Sequence, residues 1–426
     1  MGSLKIAAIA GVPVTSSCLT SALPSTSAVA ATSSNPIVVG GDGDVALNPG
    51  IAHGFEAGIY RFNKAGGLDG RKIKFLGFLD DGLSGQTNLT NAEELVEKDH
   101  VMAVVPVSSA VASAATGTFL EQSKVPFIGW STTTPFESAR SWGFGINGNQ
   151  SNPDVLGLWG WPPILKMTGN TKTPSKLKVA FIAENVAPGI LANDGGVAVA
   201  EYFGLTVVYQ GAPIAVLGTT NYAPYAQAII ASGANVAFET LDGTDGVGLA
   251  AALKSAGYKG IIVNGVTYLP GTLGSQPSEA AAVNGVYVLD EFADENKTPA
   301  VAQAKKDLVA VGEEPYLTTG VSEGYWSAIV FEQMLRAALK SVGGNPDKVA
   351  GATLQAAASH FTYTDPIAGG IGTEYFPAAQ TIPTGCGTLL KTVGTSFKQI
   401  APYGCSGAVN TLTKKKMNEK TGGEQS

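Results

Sequence analysis

Two short runs of hydroxyl-bearing residues, each following an apolar run of strand length, are the groups in this chain best suited to holding a ligand. Ser108 and Ser109 follow the valine-rich residues 101–105 and Pro106, which ends that run; Ser131, Thr132 and Thr133 follow residues 126–130, which end in Trp130. A small-residue segment of helical character, closed by Phe119 and Leu120, lies between them. The unit strand, hydroxyl loop, helix therefore occurs twice between residues 98 and 138. In a parallel sheet the common hand of the crossovers sets both loops at the same carboxyl edge, where open α/β sheets hold ligands. Helix N-termini there offer unpaired N–H groups and a partial positive charge to a carboxylate or phosphate. The same residue types are preferred N-caps; two such loops in succession favour a site.

Other chemistry is thinly represented. The three histidines, His53, His100 and His360, are far apart, which argues against a His-rich metal centre or a His-based catalytic array. Residues 41–46 match the letters of the dinucleotide fingerprint G-x-G-x-x-A. However, Asn48-Pro49-Gly50 interrupts the helix that should start at once, and no acid follows at the usual distance. A net charge of −7, with no basic cluster interleaved with aromatics, argues against a nucleic-acid surface. Neither a metal nor a cofactor is expected.

The N-terminal residues 1–35 read as an export signal and flexible leader: Lys5 is their only charge, residues 6–14 are apolar, and Ala28-Val29-Ala30 has the form of a cleavage site. Cys18 offers lipid anchoring as an alternative, although the preceding Thr15-Ser16-Ser17 lacks the usual aliphatic residue. Residues 4–11 as a first strand is the other reading. In an exported chain, Cys386 and Cys405, in a Gly- and Thr-rich stretch that reads as a hairpin, are expected to form a disulfide.

The elements that must position the hydroxyl loops follow a βα rhythm. Strands are expected at residues 36–40, 71–79, 178–183, 205–209, 235–240, 260–264 and 286–292. Helices are expected between them, including one with Ile51, Phe55, Ile59 and Phe62 on one face. A long late helix, 322–341, carries a buried stripe of Trp326, Ile329, Val330, Met334 and Ala337; Trp159 and Trp161 read as packing residues. The rhythm breaks at 171–175 and restarts, giving a second α/β unit.

This order of signals resembles the type I periplasmic binding proteins of ABC transporters, in the branch of leucine/isoleucine/valine receptors. The resemblance rests on GFEAGIYRFNKAGGLDGRKIKF, LDD, HVMAVVPVSSAVASA, VPFIGWSTTTP and GVSEGYWSAIVFEQMLRAAL, and spans roughly residues 36–405. It implies an α/β fold of two doubly wound parallel-sheet lobes joined by three crossovers, near 147–152, 285–295 and 362–372. Lobe 1 is then 36–149 with 286–363, lobe 2 is 150–285 with 364–412, and 413–426 is a disordered tail. It also implies that Ser108, Ser109, Ser131, Thr132 and Thr133 hold the ligand's carboxylate, with Trp130 shielding or stacking on it. Lobe 2 would add Asn185, Asp242, Thr267 and Tyr268. Amino-acid receptors of this branch place an acid in the last of those loops to bind the ammonium group, whereas this chain has GVTYLPG there. Asp242 could substitute, and a ligand without an ammonium group stays open.

The resulting expectation is an exported receptor, with no enzymatic activity. It would deliver a small carboxylate-bearing molecule, an amino acid or an aromatic or organic acid, to ABC permease subunits as a monomer. It would sit in the periplasm or at the cell surface. A sensor ectodomain or regulator on the same fold, and a dinucleotide-dependent enzyme, are the alternatives.

Overall fold

A computed structural model describes residues 35–265, 268–364 and 373–425. The expected leader, with Cys18, lies outside them. Among the described residues no helix is long and apolar enough to cross a membrane.

The first lobe starts with β1 (Ile37–Gly43), α1 (Ile51–Lys64), β2 (Ile73–Asp80), α2 (Gly85–Glu93) and β3 (Ala103–Ser108). It continues with α3 (Ala114–Gln122), β4 (Phe127–Gly129), α4 (Pro135–Ser138) and β5 (Gly143–Gly145). The five strands form a parallel sheet in the order β2-β1-β3-β4-β5. β3 does not end at Pro106. Both of its ladders shift register between Val104 and Val107, so the sheet passes over the residue that has no N–H to give. Gly41 and Gly43 lie within β1, and the next helix begins only at Ile51, so the fingerprint letters form no phosphate-cradling turn.

The second lobe comprises β6 (Val155–Gly157), α5 (Trp161–Met167), β7 (Lys178–Ala183), α6 (Ala187–Tyr202) and β8 (Thr206–Gln210). It goes on through α7 (Ala223–Ala231), β9 (Val236–Thr240), α8 (Gly243–Ser255), β10 (Ile261–Asn264), α9 (Pro277–Val283) and β11 (Tyr287–Asp290). The chain then returns to lobe 1 for α10 (Pro299–Ala310), α11 (Thr319–Ser341), α12 (Gly351–Ala358) and the hairpin of β12 (Thr362–Thr364) with β13 (Thr373–Tyr375). It ends with β14 (Cys386–Val393), β15 (Ser396–Cys405) and β16 (Ala408–Asn410). The lobe 2 sheet runs β15-β14-β11-β10-β9-β7-β8, with an antiparallel hairpin at one edge closed by the Cys386–Cys405 disulfide. β16 pairs with β6.

The long helix α11 spans lobe 1 against α1. The two backbones meet because Gly54 faces the Val321 carbonyl and Gly324 faces the Ile51 carbonyl, with no room for a Cβ at either. Trp326, Val330 and Met334 are buried as their spacing predicts, with Ile51, Phe55, Ile59 and Phe62 across from them.

Three expected boundaries move. β11 pairs with β10 and β14, so residues 286–290 belong to lobe 2, and the second crossover begins at Glu291. Residues 373–380 stay with lobe 1. There β13 pairs with β12, and Phe376 stacks on Phe361 at 5.6 Å and meets Phe144 at 5.4 Å. The third crossover is therefore the stretch before Cys386; the expected one falls largely outside the described residues. The tail is ordered: residue pairs Val409–Lys416 and Met417–Glu424 bridge, and Met417 is buried with Val155, Ile382 and Ala408. The apolar side chain of Met417 gives the otherwise polar tail something to bury.

Candidate functional site

The carboxyl edges of the two sheets look onto one cavity of about 540 Å³, within the range that holds a small organic ligand. Lobe 1 lines it with Ser108, Ser109, Ala110, Trp130 and Thr132, and with Thr318–Gly320 at the start of α11. Lobe 2 contributes Glu184, Val186, Thr240, Asp242, Tyr268 and Asp290, and the crossovers contribute Gln150 and Glu291.

The hydroxyl loops divide into wall and support. Ser109 Oγ donates to Asp81 Oδ2 at 2.6 Å and accepts from the N–H groups of Val111 (3.2 Å) and Ala112 (3.0 Å). Its residue lines the cavity while its hydroxyl ties the loop to the end of β2. Asp44 Oδ2 accepts from Ala110 N–H at 2.7 Å from the other side. Ser108 closes β3, with its carbonyl accepting from Asp44 N–H at 3.0 Å. Ser131 is not on the wall: it donates to the Gly148 carbonyl and accepts from Gln150 N–H at 3.1 Å, locking the first crossover. Thr132 is on the wall. Thr133 lies behind it, with its carbonyl accepting from Phe136 N–H. Ser109 thus spends its hydroxyl within lobe 1, whereas Thr133 Oγ1 is buried with no partner among the described residues. Trp130 lines the cavity as expected, and its Nε1 finds no partner among the described residues; neither does Thr319 Oγ1. Lobe 1 keeps these two donors unspent.

On lobe 2, Asn185 is exposed and off the wall; its N–H donates to the Ile214 carbonyl. Thr267 lies outside the described residues. Tyr268 lines the cavity with its ring, but its hydroxyl donates to Glu295 Oε2 at 2.6 Å and accepts from Asp294 N–H at 2.9 Å, fastening the loop to the second crossover. Asp242 is the N-cap of α8, accepting from Asp245 N–H at 2.9 Å, and its own N–H donates to Glu184 Oε1 at 2.5 Å.

Sequence reasoning missed Glu184, Gln150, Glu291 and Thr319, and read Trp159 and Trp161 as packing although both line the cavity. Glu291 was visible as part of an acidic pair leaving a strand. It accepts from Asn147 Nδ2 and, at 2.9 Å, from Gln150 Nε2, so it joins two crossovers beside the cavity.

The electrostatics are one-sided. The lining holds Glu184, Asp242, Glu279, Asp290 and Glu291, and among the described residues no Lys, Arg or His. Burial pushes Glu184 up to about 8 and raises Asp242 and Asp290 from the usual carboxylate range. Opposing this, the N-termini of α6, α8 and α11 all reach the wall, each with partial positive charge and free N–H groups. An anionic group would therefore be held by neutral donors and helix ends, and a cationic one by carboxylates. Glu184, Asp242 and Asp245 bring carboxylate oxygens within 4.8 Å of one another, the one such group among the described residues that could hold an ion. Asp245 is already engaged by the Tyr222 hydroxyl and Leu217 N–H.

A family model described as periplasmic binding protein matches residues 38–392. No curated protein matches the sequence significantly. Solved structures with the same fold include a solute-binding protein from R. palustris in complex with 4-hydroxybenzoate. It is 20% identical with a TM-score of 0.66, covering 86% of this chain and 96% of that one. A branched-chain amino acid ABC transporter protein from Thermus thermophilus with bound valine is 14% identical with a TM-score of 0.68, covering 87% and 97%. A fatty acid ABC transporter substrate-binding protein from Thermomonospora curvata is 18% identical with a TM-score of 0.67, covering 87% and 93%.

Proposed function

The chain belongs to the periplasmic binding protein family, and from that premise we propose that it is an extracytoplasmic solute receptor of an ABC importer. It captures a small carboxylate-bearing molecule by closing two lobes over it, makes and breaks no bond, and passes the solute to permease subunits as a monomer. Cys18 is the residue through which it would be lipid-anchored. The observation that carries this reading is the cavity itself: two sheet edges and three helix N-termini converge on one space. 4-Hydroxybenzoate and valine, bound in two of the similar structures, and the fatty acid for which a third is named have a carboxyl group in common. That group would sit toward lobe 1, near Ser108, Trp130, Thr132 and Thr319. A solute that also bears an ammonium group would place it toward Glu184 and Asp242.

A thermal-shift screen over amino acids, aromatic acids, aliphatic acids and polyols tests the reading. A true solute at about a hundred times its dissociation constant adds about 2.7 kcal/mol to the folded state. Stabilisation by a dinucleotide, with no response to any carboxylate, would overturn it.

A further inference from the structure

The cavity does not stop at the cleft. Pro188, Leu191, Ala192, Gly195, Gly196 and Val199 all line it. Their spacing places them on one face of α6. From Pro188 to Val199 that face runs about 16 Å at 1.5 Å per residue, from the N-terminus of α6 at the sheet edge toward the far end of the helix. Leu156, Trp159, Trp161, Phe238 and Leu289 line the cavity as well. Val199, Trp161 and Leu389 belong to one core cluster, with Leu156, Trp159, Phe238 and Leu289 packed against it. None of these residues is charged; of the five acids of the lining only Asp290 shares a segment with them, next to Leu289 on β11. Gly195 and Gly196 let α6 pack closely against its neighbours here: a Cβ at Gly195 would stand 2.9 Å from Leu156, and one at Gly196 2.8 Å from Phe181.

We infer that this apolar arm takes the hydrocarbon tail of the solute, so that the preferred ligand is an amphiphilic monocarboxylate with an extended apolar chain rather than a compact amino acid. The inference rests on the receptor reading above. It follows from continuity: the arm opens into the same cavity whose other end presents the hydroxyls and helix N-termini. A solute with a polar head and no tail would leave it unfilled, whereas an apolar chain gains by leaving water along its whole length.

Calorimetric titration of the full chain with butanoate, hexanoate, octanoate, decanoate and dodecanoate, with valine alongside, tests it. Affinity should rise by about fourfold for each methylene that enters the arm and level off when the arm is full. Ala192→Phe, which adds a ring to the lined face of α6, should abolish the gain in affinity from butanoate to decanoate; Leu156→Ala, which removes apolar bulk from the lining, should move the plateau to longer chains. Unliganded melting temperatures check that both variants fold. Affinity independent of chain length, with valine or butanoate binding as tightly as decanoate, would overturn the inference and leave the receptor reading in place. Failure of every carboxylate to bind would overturn both.

Discussion

The two sheet edges that face the cavity arise from the same strand–loop–helix rule and use their polar groups in opposite ways. Lobe 1 turns them on itself: Ser109 holds Asp81, Asp44 holds the Ala110 N–H, and Asp42 accepts from Asn88 and Asn91. Lobe 2 sets Glu184 and Asp242 on the wall, where burial raises both. Lobe 1 is thus a preformed surface whose acids are internal fastenings. Lobe 2 instead places carboxyls on the cavity wall, while burial raises acids in both lobes, Asp44 to about 7 and Glu184 to about 8. The contrast shows that residue type alone does not distinguish a ligand contact from a support, because Ser109 lies on the wall with its hydroxyl already spent.

Removing the covalent tie at the edge of the lobe 2 sheet should have the largest effect. Replacing Cys386 and Cys405 with serine should cost about 3 kcal/mol. The loss should be read in denaturant unfolding, and hydrogen exchange should place it in β14, β15 and β11 while lobe 1 stays protected. Equal loss of protection in β1 and β3 would mean that the lobes do not differ in this way.

Ser109→Ala is next. It leaves Asp81 Oδ2 with only Asn88 Nδ2 as donor and strands two N–H groups, and leaving buried polar groups unpaired costs about 1–3 kcal/mol. Stability should therefore fall while calorimetry with the screened solute shows little change. The opposite result, normal stability and weakened binding, would make Ser109 a ligand contact.

A smaller effect follows from pH. Burial raises Glu239 on β9 from 4.5 to about 8. Between those values the folded state retains a proton that the unfolded chain has released, so this stabilisation is full at low pH and is lost as pH rises through about 8. Glu239→Gln should raise the melting temperature at pH 8 and leave it nearly unchanged at pH 4, by about 2–4 °C for each kcal/mol recovered. A variant that melts with the same pH dependence as the parent would refute this assignment.

Much of this architecture was legible in the residue pattern. The strand at 178–183 and the stripe of α11, buried at Trp326, Val330 and Met334 and half-buried at Ile329 and Ala337, were readable from local periodicity, and the cysteine hairpin from its local composition. Features set by distant partners were not. The bond from Ser109 to Asp81 spans 28 positions and that from Glu291 to Gln150 spans 141, and no spacing rule connects them. Pro106 read as a strand end because the register shift that accommodates it belongs to the neighbouring strands. Trp159 and Trp161 satisfy a core or a cavity wall equally well until the space beside them is known. The tail read as solvated because Met417 alone among its charged neighbours finds a buried position.

The central claim is that two lobes close over a solute held between their sheet edges. Small-angle X-ray scattering with and without the solute from the thermal-shift screen tests it most directly. The account predicts a smaller radius of gyration and a shorter maximum dimension at saturation, with half of the change at the calorimetric dissociation constant. Superimposable scattering curves at saturating solute would contradict it.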